Sequence, residues 1–334
     1  MAQTAATNTD AFKGFLKPNE AAPYFEQTRN SSVVQTLARK VPLGINGEEV
    51  PVTTSKAKAK WVGQAQRKPT SESGIGLRTM RPHKIAAITV VSAEVVRANP
   101  GNYISIYKAD VAESMAEAFD SAAFYGIDSP FDNYLAETSK AIELGATAKA
   151  DGGAFADLNE ALRLLVADKK VNENGDVIRR RKLSGFAFDA LAEPDFGASV
   201  DAAGRPLFVS PNYENAVLTS GRVLGRPAAM TEGVANEDDS IYGFAGDFSR
   251  VVWGAVGGIS YDVSTQATVT LDGELVSLWE NNLVAIRSEA EFGLLIDDPE
   301  DFVKISPAGA IDDGNGGDGG GEGGEGGEGG DKGE

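Results

Sequence analysis

The sequence predicts an α+β fold in which an extended basic hairpin projects from a body built on one long helix and a mixed helix and strand domain. Three observations carry this. Residues Ile45 to Lys84 hold eight Lys or Arg against three acids, few large apolar side chains, and a Pro/Ser/Gly tip at Arg67 to Gly76. That composition reads as a hairpin with no core of its own, which is marginal in water until it meets a partner surface. Tyr107, Val111, Met115, Ala118, Ala122 and Tyr125 recur at three- and four-residue steps ahead of Gly126, the pattern of a long helix buried along one side and stopped by glycine. From Asp128 to Val276 helical and strand-like patterns alternate, as in an α/β or α+β domain.

The elements follow in order. The first thirty or so residues are polar, with Pro18 and Pro23 and little periodicity, and read as an extended arm. Ser31 to Lys40 predicts a short helix capped by Ser31 or Ser32, with Val33, Val34 and Leu37 on one face. Glu49 to Val52, Lys58 to Val62 and Lys84 to Val91 read as strands around the hairpin, and Ser92 to Ala98 as a short helix ended by Asn99, Pro100 and Gly101. After the long helix, Phe155 to Ala167 is amphipathic through Leu158, Leu162, Leu165 and Val166. Asn174-Gly175 signals a turn ahead of a basic run, Arg179, Arg180, Arg181 and Lys182. That run reads as a solvated face, with a contact to an acidic neighbouring subunit as the second reading. Ser184 to Asp189, Arg222 to Thr231, Ile241 to Ala245 and Arg250 to Val256 are strand-like, and Leu278 to Ile305 is the last ordered segment, divided by Pro299. The tail from Asp312 to Glu334 repeats Gly-Gly-Glu without an apolar residue, which predicts disorder.

Composition bounds the function. The chain has 334 residues, 42% of them hydrophobic, enough for one large or two modest cores. It has no long apolar run, and Met1 to Gly14 is small and polar, so neither a membrane span nor a signal peptide is read and the chain is expected in the cytoplasm that made it. With no Cys there is no disulfide framework or thiol chemistry. The net charge of −18 is uneven: residues 1–100 carry +7, the tail −7 and residues 101–311 −18. A basic first third on an acidic body suits arms of one subunit lying across the bodies of others. The acidic body is a poor match for phosphate contacts, which need Lys and Arg.

No catalytic, cofactor-binding or metal-binding residue emerges. The sole His, His83, lies between Pro82 and Lys84 with no triad partner in view, and one His without Cys cannot make the usual zinc sites. Gly74-Ile75-Gly76 lacks the third glycine of a dinucleotide loop. The carboxylate pairs, Asp238 and Asp239 beside Glu237 and Glu289 with Glu291, read as hydrated faces. A carboxylate-based hydrolase stays as an alternative of low weight.

The order of parts, together with Gly204-Arg205-Pro206-Leu207-Phe208, Leu224-Gly225-Arg226-Pro227, Gly246-Asp247-Phe248-Ser249 and Pro299 to Ile305, resembles the major capsid protein family of tailed bacteriophages, the Hong Kong 97 fold, over Ser31 to Ser306. The resemblance implies an N-terminal arm with a short helix (1–40), an E-loop hairpin (41–84), a P-domain with the spine helix (85–128) and an A-domain (129–280). Closing P-domain strands (281–308) and the acidic tail (309–334) complete it. It implies a non-enzymatic protein that assembles with itself into the hexamers and pentamers of an icosahedral virion shell, formed in the host cytoplasm around double-stranded DNA that is enclosed without sequence-specific binding. E-loop contacts between subunits would fall on Lys56, Lys58, Lys60, Trp61, Arg67, Lys68, Arg78 and Arg81. Asn282 and Glu289 match the family's cross-link Asn and Glu, but the Lys position falls near Leu77 or Arg78, and guanidinium is a poor nucleophile. The two matching residues are therefore expected to be non-functional and the shell to be free of covalent links. The family's long leading scaffold segment is missing, so a separate scaffolding protein is expected, with a portal and a decoration protein as further partners. An encapsulin-type shell around a protein cargo is the alternative that shares this fold.

Overall fold

In the computed structural model, which describes residues 32–71, 73–99, 102–148, 151–172, 175–198, 219–236 and 240–310, two β-sheets meet along one shared apolar layer. The readings for the first arm residues, Gly204 to Phe208, Glu237 to Asp239 and the tail fall outside those residues. The elements are α1 (Val33–Leu37), β1 (Arg39–Lys40), β2 (Glu48–Ser55), β3 (Gly74–Met80), β4 (His83–Ser92), α2 (Ala93–Ala98), α3 (Tyr103–Tyr125), β5 (Ala141–Leu144), α4 (Gly153–Ala167), β6 (Lys169–Val171) and β7 (Val177–Arg180). They continue with β8 (Gly185–Asp189), α5 (Glu193–Ala198), β9 (Thr219–Val223), β10 (Arg226–Thr231), β11 (Gly243–Gly246), β12 (Val251–Ala255), β13 (Ser260–Ser264), β14 (Thr268–Leu271), β15 (Glu274–Ser277), β16 (Leu283–Ile296) and β17 (Phe302–Pro307). No described helix is long and apolar enough to cross a membrane.

The first sheet is organised by β16, 14 residues long. It pairs antiparallel with β4 over Leu283 to Phe292, and with β13 and β12 in succession, and β1 joins β12 in parallel. The long helix α3 lies on this sheet. Tyr107, Val111 and Met115 pack against Ile286 and Ala290, and the Tyr107 hydroxyl meets Ser288 Oγ at 3.1 Å. The helix ends where expected, on Gly126 in the left-handed conformation. Its buried stripe runs through Phe119 rather than the exposed Ala118. Ring size decides this: Phe119 reaches Phe131, Phe292 and Trp253 at centroid distances of 5.9, 5.3 and 6.3 Å, burial that an Ala methyl cannot supply.

The second sheet has the order β5-β17-β11-β8-β10-β9. Its central strands β8 and β11 are covered on both sides, so β8, Gly-Phe-Ala-Phe-Asp, is buried at every position, as expected of a strand with no solvent face. Phe186 and Phe188 face α4 through Leu158, Ala161 and Leu165, whereas Phe244 and Phe302 point into the layer shared with the first sheet. Val166, expected on the apolar face of α4, is 45% exposed, because that stripe turns through Ala154 and Ala161 instead. Gly246 permits the closest approach in this layer. A Cβ there would lie 2.2 Å from the Phe302 ring and 2.7 Å from the Asp301 carbonyl oxygen.

Two strand readings are corrected. Arg222 to Thr231 is not one strand but the hairpin β9–β10, turning at Leu224 and Gly225 with φ of 50° and 73°, the positive φ pair of a two-residue hairpin turn. Lys58 to Val62 forms no strand. The ladder joins Glu48–Ser55 to Gly74–Met80, and among the described residues no strand pairs with Lys58 to Val62. Ser32 caps α1 and Ser92 caps α2 as expected, but α1 stops at Leu37 and the last two residues of the predicted Ser31 to Lys40 helix are β1, drawn into the ladder of β12.

Candidate subunit interface on the projecting hairpin

The hairpin β2–β3 has two unlike faces because alternate residues point opposite ways. Val50 and Met80 turn toward the body and pack with Leu43 and Val252 at its root. On the other face Glu49 is opposite Thr79, Pro51 opposite Leu77 and Thr53 opposite Ile75. That face is open: Ile75 is 74% and Leu77 62% exposed. Trp61, in the connecting tip, is fully exposed.

The cations expected at the interface divide into two groups. Arg78 donates to the carbonyl oxygens of Ile296 at 3.4 Å and Asp297 at 3.1 Å, and Lys58 pairs with Asp176 beyond β6, so both are engaged within the chain. Lys56, Lys60, Arg67, Lys68 and Arg81 are exposed and make no ion pair with another described residue. This leaves a basic, partly apolar surface on an extended arm, which suits contact with an acidic, partly apolar partner face.

Such a face occurs on the hairpin β14–β15. It turns at Asp272 and Gly273, with φ of 51° and 83°, and leaves Leu275 78% and Trp279 75% exposed beside Glu274 and Glu280. Sequence reasoning did not single out these residues. The Asp-Gly pair between Thr268–Leu271 and Glu274–Ser277 was the signal that could have found the hairpin.

Asn282 and Glu289 do not form one site. Asn282 precedes β16 and donates its side-chain amide to Glu94. Glu289, in the middle of β16, faces Lys84 at 3.4 Å and Arg287 at 3.6 Å. Seven residues of extended chain separate them by about 23 Å. Any chemistry using an Asn and a Glu at these positions would have to take them from different copies of the chain.

The basic run after Asn174 is also corrected. Arg179 and Arg181, two apart on one face of an extended segment, point inward to Asp297, Asp298 and Asp301. Asp301 is fully buried. Lys140 and Lys170 extend the network to Asp168, Glu300 and Asp297. Only Arg180 and Lys182 keep the solvated reading. Burial opposes ionisation of Asp297, but the hydrogen bonds and charges of Lys170 and Arg179 outweigh it and hold its pKa below the usual carboxylate range. Asp168 and Glu300 are lowered in the same way, chiefly by Lys140 against burial. Four acids in the five residues from Asp297 to Asp301 were the signal that this run had an internal partner.

Among the described residues no group of His, Cys, Asp and Glu is placed to hold a metal. Against known proteins, residues 14–306 match the sequence profile described as the phage capsid family. The chain is 40% identical over 315 residues to a probable major capsid protein of Mycobacterium phage D29, covering 91% of this chain and 94% of that protein. It is 39% identical over 313 residues to the corresponding protein of Mycobacterium phage L5, covering 91% and 93%. Among solved structures, a chain from Gordonia phage Cozz superposes with a TM-score of 0.67 at 22% identity, over 90% of this chain and 93% of that one.

Proposed function

Because the chain belongs to the phage capsid family, we propose that it is the major structural protein of a phage head, in which many copies form pentamers and hexamers of a closed shell around double-stranded DNA. Its relatives are named as major capsid proteins, a structural role and not an enzymatic one. The observation that carries the assembly reading is the projecting hairpin, whose Ile75 and Leu77 face and tip residue Trp61 stay exposed on a folded chain. Apolar area on an arm is stabilising only once a partner covers it.

In this reading β2–β3 and its tip are the E-loop, residues 1–40 the N-terminal arm, 85–128 the spine part of the P-domain, 129–280 the A-domain, 281–308 its closing strands and 309–334 the tail. Lys56, Lys60, Trp61, Arg67, Lys68 and Arg81 act between subunits, and Lys58 and Arg78 brace the arm from within. The lack of a matching E-loop Lys supports a shell held without covalent links. A separate scaffolding protein, a portal and a decoration protein are its proposed partners, with no membrane, and assembly takes place in the host cytoplasm.

Negative-stain electron microscopy of the chain, expressed alone and with its neighbouring genes, tests this. Regular icosahedral shells are expected. Small monodisperse particles under both conditions would overturn the assembly reading.

A further inference from the structure

The hairpin β2–β3 is fastened to its own chain at two places of unlike chemistry. At its root Met80 packs with Leu43 and Val252, and Arg78 donates to the carbonyl oxygens of Ile296 at 3.4 Å and Asp297 at 3.1 Å. Farther out, β2 approaches β7, and Lys58 pairs with Asp176 at the turn of the hairpin β6–β7. Val50 stands opposite Arg78 in the ladder, so the two fastenings lie at most about 28 Å apart along the extended chain.

The hairpin β6–β7 is itself held firmly. Lys170 and Arg179, one from each strand, reach the Asp297 carboxylate at 2.9 and 3.0 Å, and Arg179 also pairs with the buried Asp301. Lys170 Nζ donates at 3.3 Å to the same Asp297 carbonyl oxygen that accepts from Arg78. Strand β3 and both strands of β6–β7 thus converge on one residue. At the turn, the Asp176 N–H donates to Asn172 Oδ1 at 2.8 Å, which fixes the backbone that carries the outer carboxylate.

The outer fastening differs from the root. The Lys58 and Asp176 side chains are 60% and 53% exposed, so their attraction is weak and screened by salt, whereas the apolar packing at Met80 is not. A hairpin packed at its base and held farther out by one hydrated ion pair pivots about the base when that pair opens.

We propose that β6–β7 is a cradle for β2–β3. In the free chain the Lys58–Asp176 pair is an electrostatic catch that lays the hairpin along its own body, and its opening lets the outer half swing about the Met80–Arg78 root. The catch sets the direction of Ile75 and Leu77 before a neighbour arrives, which lowers the ordering cost of their contact. Only this use in assembly rests on the shell reading; the catch belongs to one chain and is tested without assembly.

The test is charge reversal in the full-length unassembled chain. With Lys58→Asp or Asp176→Lys alone, amide exchange over Val52 to Ser55 and Ile75 to Leu77 is expected to quicken about threefold, the scale of one exposed ion pair, while exchange in β4 stays unchanged. The double variant Lys58→Asp, Asp176→Lys should return to native rates, because the pair is remade with its signs exchanged. In about 0.5 M salt the native and singly reversed chains should exchange at one rate. Single variants at native rates would overturn the proposal, as would a double variant no slower than the single ones, since the two residues would then act separately. A difference between native and reversed chains that persists in salt would rule out an electrostatic catch.

Discussion

The Ser32 hydroxyl donates to the Asp120 carboxylate at 2.6 Å across 88 positions of sequence, and the same carboxylate accepts from the backbone of Val33 and Val34. One buried acid thus caps α1 and fastens the root of the arm to the long helix. Burial pushes the Asp120 pKa up to about 7, against the hydrogen bonds from Ser32, Val33 and Val34, which pull it down, while the Glu117 charge adds to the rise.

A carboxyl whose pKa is 3.8 when unfolded and about 7 when folded stabilises the fold fully below 3.8, and that stabilisation is lost as pH rises toward 7. The amides of Val33 and Val34 are expected to exchange more slowly at pH 5 than at pH 7.5. Asp120→Asn should flatten that difference. Exchange that slows with rising pH in the native chain, after correction for intrinsic rates, would show that the carboxylate form is the preferred one.

The network around Asp301 has the opposite dependence. Asp168, Asp297 and Glu300 are held below their ordinary values of 3.8, 3.8 and 4.5. Their stabilisation is complete above those values and is lost as pH falls through the lowered ones, so thermal stability should drop in acid below about pH 4. Chemical denaturation followed between pH 3 and pH 6 checks this.

Arg181→Ala would leave Asp301 buried, with Arg179 as its remaining cation. The expected cost is about 3–5 kcal/mol, the range for breaking a buried ion pair. Arg180→Ala, next in sequence and exposed, should change stability by less than about 0.5 kcal/mol. Similar denaturation midpoints for the two variants would sink the inward assignment of Arg181.

On the arm, Lys56→Glu with Lys60→Glu should leave the chain folded and block or slow assembly, since both are exposed and pair with no described residue. Circular dichroism would match the native chain while shells disappear from micrographs at moderate salt. Full assembly by the doubly reversed chain would remove these cations from the interface.

Gly246→Ala places a methyl against the Phe302 ring and the Asp301 carbonyl. Overpacking of this kind costs about 1–3 kcal/mol. Gly225→Ala, where a Cβ meets nothing within 4 Å but φ is 73°, should cost less, about 1 kcal/mol from the backbone alone. Paired denaturation curves separate crowding from backbone strain.

Local pattern alone determined α3 from Tyr107 to its Gly126 stop, the Ser caps of the short helices, the β8 core strand, the break at Pro299 and the unpartnered character of the basic hairpin. Each of these depends on periodicity, capping or charge that a sequence displays directly. Tertiary structure decided the rest, because it depends on which distant residue arrives opposite. The ladder of Glu48–Ser55 chose Gly74–Met80 as its partner and left Lys58 to Val62 without one. Arg179 and Arg181 turned inward because β17 brings Asp301 beneath them, Phe119 displaced Ala118 from the buried stripe because three rings surround it, and Asp120 became an anchor because Ser32 folds back onto it. A charge or an apolar side chain has the same appearance in sequence whether water or a partner 100 positions away will meet it, and only the packed chain distinguishes the two.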